Sequence, residues 1–198
     1  MTRAITVILV GFLFSAPAFA QQSAQAPIDE LRKGGHVIVM RYGAVERVEQ
    51  PSSFDLANCT VQHRLSDKGR DQARTLGEGF GALNIPVGQV LSSPYCRALE
   101  FAGLAFGRVQ PSEILLHPTY VPVAGAPMPP TFEERVKAVK QLLATPPAAG
   151  TNTVLISHGK VVGGATGFDM TFAEAAIFRP DGQGGTTLVA RVLIDEWR

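Results

Sequence analysis

His36-Val37-Ile38-Val39-Met40 runs directly into Arg41-Tyr42-Gly43, and Thr153-Val154-Leu155-Ile156 runs into Ser157-His158-Gly159. Both apolar runs are short and do not alternate with polar residues, which suits strands buried on both faces. Working outward, helical and extended patterns take turns. From Leu65 the spacing predicts a helix, with Ser66 as N-cap, Asp67 in the first turn, and Ala73, Leu76, Phe80 and Leu83 near one face. Val90-Leu91 reads as a second strand. Ser93 and Pro94 then read as the N-cap and first residue of a helix that buries Ala98, Ala102, Ala105 and Phe106. Ile114-Leu115-Leu116 reads as a third strand, followed by a Pro-rich loop from Pro118 to Pro130. Thr131 and Glu134 have the spacing of a capping box, and Val136, Val139, Leu142 and Leu143 continue that helix until Pro146-Pro147 end it. Ala175 to Phe178 and Thr187 to Ile194 read as two late strands joined by a turn over 180–185.

This order, βαβαβαβ and then ββ, predicts an α/β fold with a mostly parallel central sheet and helices on both faces. Such sheets bind ligands beyond the carboxyl ends of their strands. Those ends carry Arg41-Tyr42-Gly43, the segment Ser92-Ser93-Pro94-Tyr95-Cys96-Arg97, His117, and Ser157-His158-Gly159. Two arginines and a histidine at one edge suit a dianion, because guanidinium forks match phosphate oxygens in pairs. A helix starting at Pro94 would add its positive end. Gly43 and Gly159 would let the backbone turn sharply beside a ligand.

Length and composition narrow the classes. The chain has 198 residues, enough for one domain. Lys and Arg total 18, Asp and Glu 17, and the net charge of +1 argues against a nucleic-acid partner, which needs many cations. With 45% hydrophobic residues the chain is not a charged disordered one. Arg3, the apolar run Ile5 to Phe14 and Ala18-Phe19-Ala20 have the form of an export signal over residues 1–20. The alternative is a membrane-anchoring helix, but the run is shorter than the ~20 residues a span needs. Residues 21–30 then form a polar tether and 31–198 the domain, periplasmic or secreted, with no membrane span after cleavage. An exported chain meets oxidising conditions, so Cys59 and Cys96 are a candidate disulfide; two separate small core residues are the alternative. No CxxC pair suggests a zinc site.

The strand-end motifs VIVMRYG, LSSPYCRALE and VLISHG, with LSDKGRDQARTLG between the first two, resemble the histidine phosphatase superfamily over roughly Leu31 to Trp197. The resemblance implies a phosphoglycerate-mutase-like fold. It also implies a mechanism in which a first histidine attacks a phosphate monoester while two arginines and a second histidine hold the oxygens. By position, Arg41, Arg97 and His158 match the phosphate-binding groups, with His158 the second catalytic histidine. The nucleophile position is Tyr42, where the family has histidine. A neutral imidazole attacks near pH 7, whereas a phenol with a pKa of ~10 is only ~1 in 1,000 ionised there. A tyrosyl phosphate also lacks the labile P–N bond that makes phosphohistidine easy to hydrolyse. Tyr is longer than His as well, so its hydroxyl projects toward the phosphate volume.

Few other residues can take the place of the missing histidine. His36 lies six positions before Tyr42, ~20 Å along a strand, and cannot reach. His63 and Arg64 precede the Leu65 helix; Arg64 is a possible substrate contact. His117 stands near where relatives keep a proton donor and is a possible site residue. Glu133 reads as solvated, and Glu134 is occupied by the capping box. Lys160-Val161-Val162-Gly163-Gly164 is a poor helix former. The expectation is therefore an Arg/Arg/His phosphate pocket, impaired or inactive as a phosphomonoesterase, taking phosphate or a phosphorylated small molecule. An active phosphomonoesterase and a non-catalytic interaction protein are the alternatives. No metal or cofactor is called for, since Arg and His do the phosphate-holding that a divalent cation does elsewhere.

Overall fold

The structure, a computed structural model, describes residues 25–197. The export signal expected over residues 1–20 lies outside them. Strand β1 (Val37–Arg41) has four fully buried residues in sequence, and successive side chains enter different cores. Ile38 and Met40 join one hydrophobic cluster, Val37 and Val39 the other. This period-2 division explains why the run shows no polar alternation: both faces are covered.

The chain continues through a short ribbon, β2 (Val45–Glu46) and β3 (Arg64–Leu65), to α2 (Asp67–Ala82), β4 (Val87–Ser92), α3 (Cys96–Phe106) and β5 (Gln110–Pro111). It then forms α4 (Phe132–Leu143), β6 (Asn152–Ser157), α5 (Gly159–Thr166), β7 (Ala175–Pro180) and β8 (Thr186–Val192). The main sheet has six strands in the order β5-β4-β6-β1-β7-β8. The first four are mutually parallel, and β7 and β8 are antiparallel additions at one edge. Ala73, Leu76 and Phe80 of α2 and Phe101 of α3 pack in the cluster of Ile38 and Met40. Val139 and Leu143 of α4 and Val161 and Val162 of α5 pack in the other. Helices therefore cover both faces, as the alternating pattern predicts. Ser66 caps α2 by accepting from the Gly69 N–H, and Thr131 and Glu134 form the expected capping box of α4.

Four expectations are corrected. The tether is not polar chain up to residue 30: α1 (Gln25–Leu31) places Ile28 and Leu31 in the core. Ile114-Leu115-Leu116 is no strand. Residues Glu113–Leu115 form a 3₁₀ turn with Leu115 and Leu116 buried, and three apolar residues alone do not distinguish the two. α3 begins two residues after Pro94 and has Tyr95, not Ser93, at its N-cap. Residues 159–166 do form a helix despite poor propensity. A Cβ on Gly164 would lie 2.8 Å from Val136 and 3.0 Å from Phe132, so the glycine permits close packing of α5 on α4, and tertiary contact overrides propensity. Among the described residues no helix is long and apolar enough to cross a membrane.

Candidate active site

β1 and β6 are in parallel register with Arg41 opposite Ser157, so Arg41-Tyr42 and His158 leave the sheet side by side. β4 flanks β6 on the other side, and the chain beyond it enters α3 with Arg97 in the first turn. Arg41, Tyr42, Arg97 and His158 are thereby brought together. The Tyr42 and His158 rings meet edge to face at 5.2 Å. The Arg97 guanidinium lies 5.0 Å from the Tyr42 ring centre and 4.3 Å from that of Tyr95. Arg41 stacks on Phe172 at 3.9 Å and donates from Nη1 to the Met170 carbonyl at 2.9 Å. Gly43 serves this packing rather than a ligand: a Cβ there would meet the Gly69 carbonyl oxygen at 2.7 Å.

The guanidinium groups are under-satisfied. Arg97 is only 5% exposed, yet its Nε and Nη1 have no hydrogen-bond partner, and neither has Nε of Arg41. Among the described residues neither arginine forms an ion pair. Beside half-buried Arg41 and buried Arg97, Arg135 of α4 is also buried; it donates to the His117 carbonyl at 3.5 Å and keeps an unpartnered Nε. Stacking on aromatic faces is worth about 0.5–2 kcal/mol and leaves the charge in place. Buried charge without a counter-charge is costly, and an anion would relieve it.

Two cavities open here. The first, about 210 Å³, is lined by Arg41, Tyr42, Val45, Arg47, Gln50, His63, Tyr95, Arg97, His117, Thr119 and Phe172. The second, about 370 Å³, is lined by Arg41, Tyr42, His117, His158, Gly159, Lys160, Asp169 and Met170. Arg41, Tyr42 and His117 line both and so form the partition between them. Another cavity, about 380 Å³, is lined by residues such as Gly88, Thr145 and Pro147, with no titratable side chain.

The three histidines share one feature: a donor occupies Nδ1. The Val48 N–H donates to His63 Nδ1 at 3.2 Å, the Thr119 N–H to His117 Nδ1 at 3.3 Å, and Arg97 Nη2 to His158 Nδ1 at 3.4 Å. Each neutral ring therefore carries its proton on Nε2. His158 spends that proton on Ser93 Oγ at 2.8 Å, so both its nitrogens are engaged and it orients Arg97. In all three, burial and neighbouring guanidinium groups disfavour the protonated form. Burial and then Arg97 push His158 well below the usual range, and His117 is held down to about 4, chiefly by burial and then Arg97. His63 is lowered by burial, Arg97 and Arg47. Burial pushes the Tyr95 phenol up to about 12.

Other predicted residues fall elsewhere. Arg64 is not a site residue. In the β2–β3 ribbon it lies opposite Glu46, pairs with it at 3.7 Å, and lines neither cavity. His36 sits before β1, bonded to the Gly34 carbonyl and, through its own N–H, to Asn152. Glu133 lines a separate groove and Glu134 caps α4. Cys59 and Cys96 are joined in a disulfide, with Cα atoms 5.7 Å apart. Among the described residues no three His, Cys, Asp or Glu side chains cluster to hold a metal. Sequence reading missed Arg47, Gln50 and Arg135. Only Arg135 left a signal, a charge in helical register with the buried Val139 and Leu143.

With this geometry in hand, known structures supply the comparison. The protein histidine phosphatase SixA in complex with tungstate superposes with a TM-score of 0.56 at 18% identity, over 82% of this chain and 99% of that one. This chain shares the fold of that histidine phosphatase. Two further phosphatase structures share it. Phosphoserine phosphatase from Entamoeba histolytica, in complex with 3-phosphoglyceric acid, gives 0.56 at 15% identity over 82% and 99% of the two chains. The ecdysone phosphate phosphatase of Bombix mori, with tungstate, gives 0.54 at 14% over 79% and 92%. In sequence, the mitochondrial serine/threonine-protein phosphatase Pgam5 of Drosophila grimshawi is 27% identical over 99 residues, which is half of this chain and 32% of that protein's length. The sequence matches no protein-family model.

Proposed function

We propose that this chain is an exported oxyanion receptor on a histidine-phosphatase fold, impaired or inactive as a phosphomonoesterase, whose ligand is phosphate or a phosphorylated small molecule. The observation that carries the reading is the pair of guanidinium groups beside Tyr42, half-buried on Arg41 and buried on Arg97, neither with an ion-pair partner among the described residues. Tungstate, a tetrahedral oxyanion, is bound by SixA and by the ecdysone phosphate phosphatase, and the arginines supply what such an ion needs.

Turnover needs more than binding. Tyr42 stands at the position where the resemblance expects the attacking histidine. No neighbouring histidine offers a replacement lone pair, because each Nδ1 is occupied and each Nε2 carries a proton. The first cavity also has no carboxylic acid to protonate a leaving group. Export is supported by the leader-like residues Arg3 to Ala20 and fits the disulfide. Mass spectrometry of the protein recovered from outside the cytoplasm tests it, with cleavage expected after Ala20.

The deciding experiment pairs the protein with its Tyr42→His variant. Vanadate or phosphate raises the thermal midpoint of the protein, and an aryl phosphate is hydrolysed faster by the variant. Equal turnover by the two makes the chain an active phosphomonoesterase. No midpoint shift at saturating anion leaves an interaction protein with a disused pocket. At 100 Kd of ligand the expected stabilisation is about 2.7 kcal/mol.

A further inference from the structure

The side chains of the first cavity meet a ligand almost wholly with N–H groups. Arg41, Arg47 and Arg97 offer guanidinium donors, and His63 and His117 offer Nε2–H because their Nδ1 atoms accept from Val48 and Thr119. Gln50 accepts the backbone N–H of His63 with Oε1, which leaves its amide NH₂ as the remaining donor of that side chain. The Thr119 hydroxyl is 2.8 Å from His117 Nδ1, an acceptor, and so spends its proton there. The remaining polar groups are the phenol hydroxyls of Tyr42 and Tyr95. No carboxylate lines this cavity; Asp169 lines only the second.

A set of donors without a strong acceptor discriminates by protonation. A singly ionised phosphate ester carries an O–H, and here that proton faces other donors, an unmatched contact. Sulfate has four acceptor oxygens, two charges and no proton. We infer that the first cavity selects tetrahedral oxyanions that carry no proton, so that it takes sulfate as readily as the doubly ionised form of a phosphate monoester. This rests on the oxyanion-receptor reading and narrows it to a ligand class.

Apart from His63, the groups of the cavity keep their charge between pH 5 and 8. The three arginines stay charged. His117, faced by Arg97, Lys160, Arg135 and Arg41, stays neutral, and Tyr95 stays protonated. His63 is lowered by burial, Arg97 and Arg47, and any charge it gains in acid acts on both ligands. That charge would strengthen both anions alike, so the affinity ratio is the readout.

The test is calorimetric titration of the disulfide-intact protein with sodium sulfate and, separately, with methyl phosphate, at pH 8 and pH 5. Comparable affinities are expected at pH 8. At pH 5 only about a tenth of a monoester with a second pKa near 6 is doubly ionised, so the sulfate-to-ester affinity ratio rises about tenfold. An unchanged ratio, or ester binding without sulfate binding, overturns this inference and leaves the receptor reading standing. Binding of neither ion overturns the receptor reading itself. Gln50→Glu keeps an acceptor for the His63 backbone N–H and adds a carboxylate to the cavity. It is expected to weaken sulfate more than the ester at pH 5, and equal weakening of the two contradicts the donor-only explanation.

Discussion

Nη2 of Arg97 lies 3.4 Å from Nδ1 of His158, and Nε2 of the same imidazole lies 2.8 Å from Ser93 Oγ. The histidine is thus a fixed spacer between the chain after β4 and the guanidinium of α3. His158→Ala removes it, leaves Ser93 Oγ and Arg97 with one partner fewer each, and opens space beside Tyr42. We expect oxyanion affinity to fall about tenfold, about 1.4 kcal/mol, and unfolding free energy to fall by about 1–3 kcal/mol for the groups left unsatisfied. Calorimetry and urea denaturation measure the two. Full affinity in a stably folded variant would mean that Arg97 is held by its aromatic neighbours alone.

The disulfide acts on the same cavity from its outer wall. Cys96 opens α3 immediately before Arg97, and Cys59 begins the 3₁₀ turn Cys59–Val61. Gln62 reinforces the tie: fully buried, it accepts from the Cys96 N–H at 3.1 Å and donates to the Leu56 carbonyl at 2.9 Å. His63 follows and lines the cavity. With a sequence separation of 37 the bridge contributes about 4 kcal/mol in the chain-entropy description. Reduction, or the double substitution Cys59→Ser and Cys96→Ser, lowers the urea midpoint and weakens oxyanion binding together. A stability loss with unchanged affinity would show that Gln62 alone holds the wall.

Half-buried His117 and buried His158 set an acid limit on the fold. His117 and His158 are neutral when folded and have depressed pKa values, while an unfolded histidine protonates near 6.5. Below about 6.5 the unfolded chain therefore binds more protons than the native one, and stability falls with falling pH toward 4, where His117 itself titrates in the native state. Each histidine contributes a slope of up to about 1.4 kcal/mol per pH unit. Denaturation free energies at pH 7, 6, 5 and 4 give the profile, and His117→Gln makes it shallower. An identical profile in that variant would assign the acid sensitivity to other groups.

The fold was legible because its strands are buried on both faces. Val37 to Met40 and Val154 to Ile156 have no polar side chain to place, so apolar runs ending in Arg41-Tyr42 and Ser157-His158 marked the carboxyl edge directly. Tyr42 and Arg97 were readable as neighbours for the same reason, whereas His117 was placed beside them through a strand that is in fact a 3₁₀ turn. Arg47 and Gln50 were not, because they come from a loop whose path is fixed by long-range bonds, such as Val48 N–H to His63 and His63 N–H to Gln50. Arg64 misled because adjacency to His63 in sequence says nothing about the alternation of a ribbon, which points neighbours to opposite sides. Residues 159–166 misled because the glycine that weakens the helix locally is the one that lets α5 approach α4.

The same conflict between propensity and packing predicts opposite signs for two glycines of α2. A Cβ on Gly69 would lie 2.1 Å from the Ala44 carbonyl oxygen, a backbone atom with no rotamer to yield, whereas a Cβ on Gly81 meets nothing within 4 Å. Alanine is favoured over glycine inside a helix by about 1 kcal/mol. Gly81→Ala should realise that gain, stabilising the protein by up to about 1 kcal/mol. Gly69→Ala should lose more than it gains, with a net cost of about 1–3 kcal/mol from overpacking. Gly69 also backs Gly43, the residue after Tyr42, so its substitution displaces the end of β1 and weakens oxyanion binding, while Gly81→Ala leaves binding unchanged. Urea denaturation and calorimetry on the two variants separate the effects. Stabilisation by Gly69→Ala would show that the β1–α2 approach is looser than these distances require.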